Sequence, residues 1–285
     1  NLTNYLNLPE SGKILDLACG KGRYSIYLNT LGFDVTGIDL SEQSILHAKQ
    51  FENDTLKFDV HDMTKPYPET FDTVLNLFTS FGYFEEETDN FKVIQTIKSS
   101  LKQNGIGVID FMNSPFVIEN LIPRNSYKDD NITFNLKRYL SDGFICKDIE
   151  VVDGNTTSHF MEKVRAFTFE DFETMLSNAG LHLLDCFGNY KLEPYNSKTS
   201  ERLILIFMSL SSIQFAKAQT GLFVMSSLGA MPGTTSSGLP INFNSIATCI
   251  DVQTGVAVLN GARGNGQFAI NCEVIMKFNS LGIKM

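Results

Sequence analysis

Between residues 13 and 112 the apolar positions switch back and forth between short continuous runs and a helical spacing. Residues 13–17 form a short apolar run, and residues 21–31 then set Tyr24, Tyr27, Leu28 and Leu31 on one helical face, with Gly32 as the stop. Residues 33–39 alternate as a strand does, and Ser41 supplies a hydroxyl cap for a helix carrying Ile45, Ala48 and Phe51. Residues 56–62 and 71–78 read as the third and fourth strands. Phe91, Ile94, Ile97 and Leu101 stripe a helix that is expected to close at Gly105, ahead of a strand over 106–112. Strands alternating with helices in this way predict an α/β fold, a doubly wound parallel sheet with helices on both faces.

The period then changes. Residues 132–140, 144–152 and 158–167 are longer alternating runs separated by Asp142-Gly143 and Asp153-Gly154, which are hairpin turn signals, so an antiparallel β insert is predicted over about 113–167. Helical spacing returns at 170–179 with Gly180 as its stop, and strands over 181–187 and 202–208 complete the sheet. An insert emerging after the fifth strand is expected to cover the crevice at the carboxyl ends of the strands, where open α/β sheets bind ligands.

Near residue 211 the composition shifts. Residues 1–211 hold 49 charged side chains, whereas residues 212–285 hold 6, and all four His lie in the first segment. The tail consists of apolar runs (221–225, 246–252, 267–276) broken by Gly/Ser/Thr/Pro clusters, a pattern that predicts a small β-rich C-terminal segment carrying no recognisable chemistry. A length of 285 residues fits the resulting division into two parts, 1–211 and 212–285.

Charge and composition narrow the function classes. The net charge of −9 repels phosphate backbones, so no nucleic-acid partner is expected. The longest purely apolar run is the six residues 203–208, far short of the ~20 needed to span a bilayer, so no membrane partner is expected either. The chain starts at Asn1 with neither an initiator Met nor a basic-then-apolar leader, which reads as the absence of a secretory signal. Five scattered Cys give no C-x-x-C pair and no metal pattern, and a reducing, cytoplasmic compartment is the expectation.

The most informative stretch is Asp16-Leu17-Ala18-Cys19-Gly20-Lys21-Gly22-Arg23, a strand that runs into a glycine turn and opens a helix. Glycines there let a cofactor approach the backbone, and the helix start beyond offers unpaired N–H donors. Nineteen residues past Gly20, at the end of the second strand, the Asp39 carboxylate is placed to accept both hydroxyls of a ribose. A nicotinamide dinucleotide fold uses the same acid but prefers a third glycine, and Ser25 stands at that position.

Asp16 to Arg23 together with Gly37-Ile38-Asp39-Leu40-Ser41, His61-Asp62-Met63, Phe71-Asp72-Thr73-Val74 and Leu101 to Gly107 resembles the class I S-adenosylmethionine-dependent methyltransferases. The similarity is closest to the small-molecule branch with the generic methyltransferase domain, and it covers most of residues 5–209. It implies a Rossmann-like seven-stranded methyltransferase sheet and S-adenosylmethionine as cofactor. By the same resemblance Asp16, Gly20 and Gly22 meet the methionine part of the cofactor, Asp39 the ribose hydroxyls, Asp62 the adenine amino group and Met63 the adenine ring edge, with Ala18, Leu40 and Asn76 completing the cofactor-binding set.

After that strand comes the aromatic loop Asn76-Leu77-Phe78-Thr79-Ser80-Phe81-Gly82-Tyr83-Phe84, without the Asn/Asp-Pro-Pro-aromatic motif of enzymes that methylate nucleic-acid bases. Aromatic faces tolerate a sulfonium charge and line pockets, so Tyr83 and Phe81 are candidates for substrate contact. Asn113, Tyr190 and Arg202 join them from later strand ends. His61 and His159 lack a matched acid, no catalytic base is assigned, and no metal site is expected. The expected reaction is in-line methyl transfer to a small-molecule acceptor; a non-catalytic module binding S-adenosylmethionine or a nucleotide is the alternative.

Overall fold

The computed structural model describes residues 2–209 continuously and seven strand segments between 216 and 271. The chain forms two compact units, Asn1–Leu210 and Ser211–Met285.

The first unit is built on a seven-stranded sheet. In chain order its elements are α1 (Leu2–Leu6), β1 (Lys13–Leu17), α2 (Arg23–Thr30), β2 (Asp34–Asp39), α3 (Glu42–Ala48), β3 (Leu56–Val60), β4 (Phe71–Asn76), α4 (Glu87–Ser100), β5 (Leu101–Met112), α5 (Ser114–Glu119), β6 (Arg124–Asp129), β7 (Ile132–Ser141), β8 (Phe144–Asp153), β9 (Thr156–Arg165), α6 (Phe169–Asn178), β10 (His182–Phe187) and β11 (Arg202–Met208). The sheet order is β10-β11-β5-β4-β1-β2-β3, parallel from β3 through β5, with β11 antiparallel to both its neighbours. The chain winds outward from β1 toward β3 and then returns to β4 on β1's other side. The carboxyl ends of β1 and β4 therefore flank the point where winding reverses, the place where such sheets leave a crevice.

Both sheet faces are covered. One apolar cluster packs α4 and α6 against Leu15, Leu17, Val74, Ile109 and Leu205; the other packs α1, α2 and α3 against Ile14, Val35, Leu75, Val108 and Ile204. Neighbouring residues of one strand thus serve opposite cores, the period-2 consequence of the pleat.

Four elements differ from the sequence reading. The α4 helix ends at Ser100 rather than at Gly105, because Leu101 already pairs with Phe71 and the chain makes a bulge before Ile106 rejoins β4 opposite Thr73. Asn104 takes a left-handed φ of 61° in that bulge. On α2 it is Ser25 and Leu28 that are buried, while Tyr27 and Leu31 stay exposed. The short helix α1 and the strand β6, whose residues Arg-Asn-Ser-Tyr-Lys-Asp are all exposed, carry too weak an apolar period to be read.

The insert is a four-stranded antiparallel sheet, β6-β7-β8-β9. It docks on the β4–α4 connection: Arg165 N–H donates to the Gly82 carbonyl at 2.8 Å, and Lys163 and Arg165 pair with Glu85 and Glu87 at 2.9 and 3.7 Å. In the second unit the strand segments form a five-stranded and a two-stranded antiparallel sheet.

Candidate functional site

The turn after β1 holds three residues in left-handed backbone, Ala18 (φ 58°), Gly20 (φ 58°) and Gly22 (φ 76°). The two glycines serve different ends. A Cβ on Gly22 would lie 2.6 Å from the Phe58 ring, so a glycine here also lets α2 pack against β3. A Cβ on Gly20 would meet nothing within 4 Å, which leaves its backbone open to a ligand.

Asp39, at the end of β2, fixes that open turn. Its Oδ2 accepts from the Gly20 N–H at 2.8 Å and its Oδ1 from the Ser41 N–H at 2.8 Å. Each carboxylate oxygen accepts at more than one position, so capacity remains for hydroxyl donors. Leu40 follows with 72% of its surface exposed. Beneath the turn, Asp16 is buried and accepts from the Ser25 hydroxyl at 2.6 Å. Burial pushes the Asp16 carboxyl up to about 6; the Ser25 bond opposes that rise, and the Asp39 charge adds to it. The residue where a dinucleotide fold prefers glycine is therefore the anchor of the buried acid. Burial likewise pushes the Cys19 thiol far above its ordinary range, which makes it an inert packing group.

Asn76, opposite Leu17 on the adjacent strand, is buried and donates to the Leu17 carbonyl at 3.3 Å, while its Oδ1 has no partner. A buried acceptor without a donor marks a place where a ligand's donor would be welcome. Past β3, Asp62 Oδ1 accepts from the Thr64 N–H and hydroxyl at 2.9 and 2.8 Å. Burial acts to raise the Asp62 carboxyl, but these bonds and Lys65 outweigh it and hold it below its ordinary value. Met63 beside it packs on the core. His61 faces the Lys65 carbonyl, and His159 lies exposed on β9 of the insert.

The carboxyl ends of β4 and β5, together with the amino end of the antiparallel β11, are organised differently. Phe78 and Thr79 are consecutive non-glycine residues with φ of 57° and 60°, a strained pair. Asp110 of β5 holds them: its Oδ2 accepts from the Phe78 N–H at 3.0 Å, and its carbonyl accepts from the Thr79 N–H at 2.9 Å. Arg202 of β11 closes the set, pairing with Asp110 at 2.7 Å and donating to the Thr79 hydroxyl at 3.0 Å. The Tyr190 hydroxyl donates to Asp110 at 3.1 Å, and burial with the Asp110 charge pushes that phenol up to about 12. Phe78 stacks on Tyr24, the second residue of α2, with ring centroids 4.2 Å apart. Through the Phe78 N–H this aromatic pair is tied to the Asp110 cluster.

Of the substrate candidates, Tyr190 and Arg202 meet in this cluster, whereas three others do not. Phe81 is fully buried among Phe111, Phe167 and Phe172 and packs the core beneath the insert instead of lining a pocket. Asn113 is also buried; its amide donates to the carbonyls of Ser197 and Ser200 at 3.0 and 2.7 Å and its oxygen accepts from Tyr195 at 2.9 Å, so it clamps the β10–β11 loop that carries Tyr190. Tyr83 lies on the insert side, near Glu162. Asp110 was not singled out in the sequence because it stands in the apolar run Val108-Ile109-Asp110-Phe111-Met112; a lone charge inside a buried strand is itself the signal that could have found it.

A cavity of about 440 Å³ is lined by the Tyr24–Phe78 pair and lies between α1, α2 and the sheet, with Asp110 and Tyr190 on its wall. None of its lining residues comes from the insert. The insert instead contacts the β4–α4 connection, through Gly82, Glu85 and Glu87. Among the described residues no cluster of His, Cys, Asp and Glu is placed to hold a metal, and no helix is long and apolar enough to cross a membrane.

A family model described as a methyltransferase domain matches residues 9–180. A Bacillus subtilis protein, YqeM, named as a methyltransferase, is 33% identical over 211 residues, 69% of this chain and 84% of its own length. A glycine/sarcosine N-methyltransferase of Aphanothece halophytica is 34% identical over 122 residues, 39% of this chain and 45% of that enzyme. In fold, the chain is similar to a crystal structure of an S-adenosylmethionine-dependent methyltransferase from Clostridium acetobutylicum, with a TM-score of 0.65 at 23% identity, covering 74% of this chain and 88% of that one.

Proposed function

The chain belongs to the methyltransferase-domain family of S-adenosylmethionine-dependent enzymes, and from that premise we propose that it passes the cofactor's methyl group to a small-molecule acceptor by in-line displacement, releasing S-adenosylhomocysteine. The observation that carries the cofactor half is the Asp39 carboxylate bonded at 2.8 Å to Gly20, whose Cα faces open space. Acceptor oxygens beside an unobstructed turn suit a ribose and a methionine tail, and the unpartnered Asn76 Oδ1 suits a further donor. Asp16, Ala18, Gly20, Gly22 and Asn76 would hold the methionine end, Asp39 and Leu40 the ribose, and Asp62 and Met63 the adenine.

When bound, the cofactor supplies a methyl group on a sulfonium, which is already an activated leaving group. The chain's contribution is then orientation and exclusion of water. Ser25 holds the Asp16 carboxylate in one rotamer, Asp39 locks the glycine turn, and Asp110 holds Phe78 against Tyr24, so an aromatic wall stands beside the turn. No residue is assigned as a base.

The acceptor is read as a small molecule because a cavity adjoins the Tyr24–Phe78 wall and because the related glycine/sarcosine enzyme is named for small amines. The net charge of −9 argues against phosphate backbones as partners. Free thiols at Cys19, Cys146 and Cys186 suit a reducing, cytoplasmic setting. The reaction is assigned to residues 1–211, with 212–285 taking no part.

Titration with S-adenosylmethionine and with NAD, followed by an assay for S-adenosylhomocysteine release over a panel of amines and hydroxyl compounds, tests this reading. Binding of NAD in place of S-adenosylmethionine would overturn it, and cofactor binding without release on any acceptor would favour the non-catalytic alternative. Truncation after Ser211 should leave cofactor affinity unchanged; its loss would put the tail in the site.

A further inference from the structure

The cavity lined by the Tyr24–Phe78 pair has a definite chemical character. Thirteen of its fifteen lining residues are aliphatic or aromatic, with Leu6, Ile14, Leu28, Leu75 and Ile204 forming the body. The sole charged residue on its wall is Asp110, and its charge is already matched by Arg202 at 2.7 Å. All the acceptor capacity that Asp110 turns toward its neighbours is engaged by Phe78 N–H, Tyr190 and Arg202. Tyr190 spends its one proton on Asp110, so its oxygen is left as an acceptor at the cavity wall.

These facts bear on the acceptor. An ammonium or carboxylate group entering this cavity would give up its hydration and find no unmatched opposite charge. A volume of about 440 Å³ is also far larger than a glycine-sized molecule fills, and lies in the range of sites for ring-sized ligands. Resting on the methyltransferase reading above, we infer that this cavity is the acceptor site and that the acceptor is an uncharged, mainly apolar ring compound bearing one N–H or O–H group, which donates to Tyr190 Oη. The acceptor's nitrogen or oxygen forms the new bond to the methyl carbon as the carbon–sulfur bond breaks. Its electron pair stays on sulfur, and the acceptor's proton leaves to water.

The test uses the full chain with S-adenosylmethionine and two acceptor sets: anilines and phenols on one side, glycine, sarcosine and ethanolamine on the other. S-adenosylhomocysteine release is expected with the first set only. Two variants narrow the cavity, Leu8→Trp and, at a position 56% exposed and therefore safe for folding, Tyr27→Trp. Each is expected to raise the acceptor KM about tenfold or more, while calorimetric affinity for S-adenosylhomocysteine stays as in the parent. Turnover of the charged amines alone, or a KM indifferent to both fillings, overturns the cavity assignment and leaves methyl transfer standing. Release with neither set, in protein that still binds the cofactor, overturns the functional reading and the cavity assignment together.

Discussion

Along the sheet's carboxyl edge, the turn after β1 with Asp39 and Asn76, and the loop after β4 with the end of β5 and the start of β11, are both rich in polar groups but dispose of them in opposite ways. At the first, Asp39 retains acceptor capacity, the Gly20 Cα faces empty space and the Asn76 oxygen has no donor. At the second, Asp110, Arg202 and Thr79 consume one another's hydrogen-bonding capacity, Tyr190 gives its proton to Asp110 and keeps only its oxygen free, and Asn113 spends itself on the loop carrying Tyr190. An open set of acceptors is a place to bind a polar ligand. A closed set is a frame, and what it holds is a strained turn that keeps Phe78 stacked on Tyr24. Substitutions should therefore cost stability at the closed edge and affinity at the open one.

The largest effect is expected where the closed frame loses its charge balance. Asp110 is 1% exposed, and Asp110→Asn leaves Arg202 partly buried without its partner, at a cost of about 3–5 kcal/mol. Urea unfolding followed by circular dichroism measures it. A loss under about 1 kcal/mol would mean that the cluster is as slack as a surface pair, and the contrast between the edges would fail.

Next comes Asp16, whose raised carboxyl makes the open edge pH-sensitive. Its folded value of about 6 lies above the unfolded value of 3.8, so the native state holds the proton more tightly. The stability this contributes is fully present below the unfolded value and is lost as pH rises through about 6, roughly 3 kcal/mol in all. Asp16→Asn should flatten that part of the stability profile. Cofactor affinity should run the opposite way if the ionised carboxylate faces the cationic methionine end, weakening about tenfold per pH unit below about 6. An affinity independent of pH between 5 and 7 would remove Asp16 from the cofactor site.

Asp39 sharpens the comparison from the other side. Asp39→Ala should weaken S-adenosylmethionine binding by about 1.5–3 kcal/mol, the range for hydrogen bonds to a charged group. Calorimetry on the folded variant checks this, and unchanged affinity would show that the open carboxylate is a turn anchor alone.

How far these two edges were legible in the sequence follows from the same contrast. The open edge is local: strand, glycine turn and the acid nineteen residues on lie within one β-α-β unit, so spacing alone brings Gly20 and Asp39 together. The closed edge is assembled from Phe78, Asp110, Tyr190 and Arg202, up to 124 positions apart, and no local pattern couples an acid in an apolar strand to an arginine on another. Aromatic residues in the loop after β4 were equally hard to sort, since Phe78, Phe81 and Tyr83 look alike in sequence while one faces the crevice, one the core and one the insert. Long, strongly periodic elements were the most readable; β6 was missed because none of its residues is buried.

The smallest effect concerns backbone strain at the open edge. Ala18 holds a left-handed φ of 58° where most of the turn's work is done by glycines. Left-handed backbone costs a residue with a Cβ about 1 kcal/mol, so Ala18→Gly relieves that much in the folded state. The same change widens the unfolded ensemble, which offsets about 0.4–1 kcal/mol of the gain. The two terms nearly cancel, and the unfolding free energy should move by less than about 0.5 kcal/mol in either direction. Phe78 and Thr79 give the contrast: Thr79→Gly relieves a similar strain but deletes the hydroxyl that accepts from Arg202, so it should destabilise on balance. Thermal unfolding of both variants against the parent separates the cases. Equal shifts would mean that the frame around Asp110 does not hold the turn, and that strain alone distinguishes the two edges.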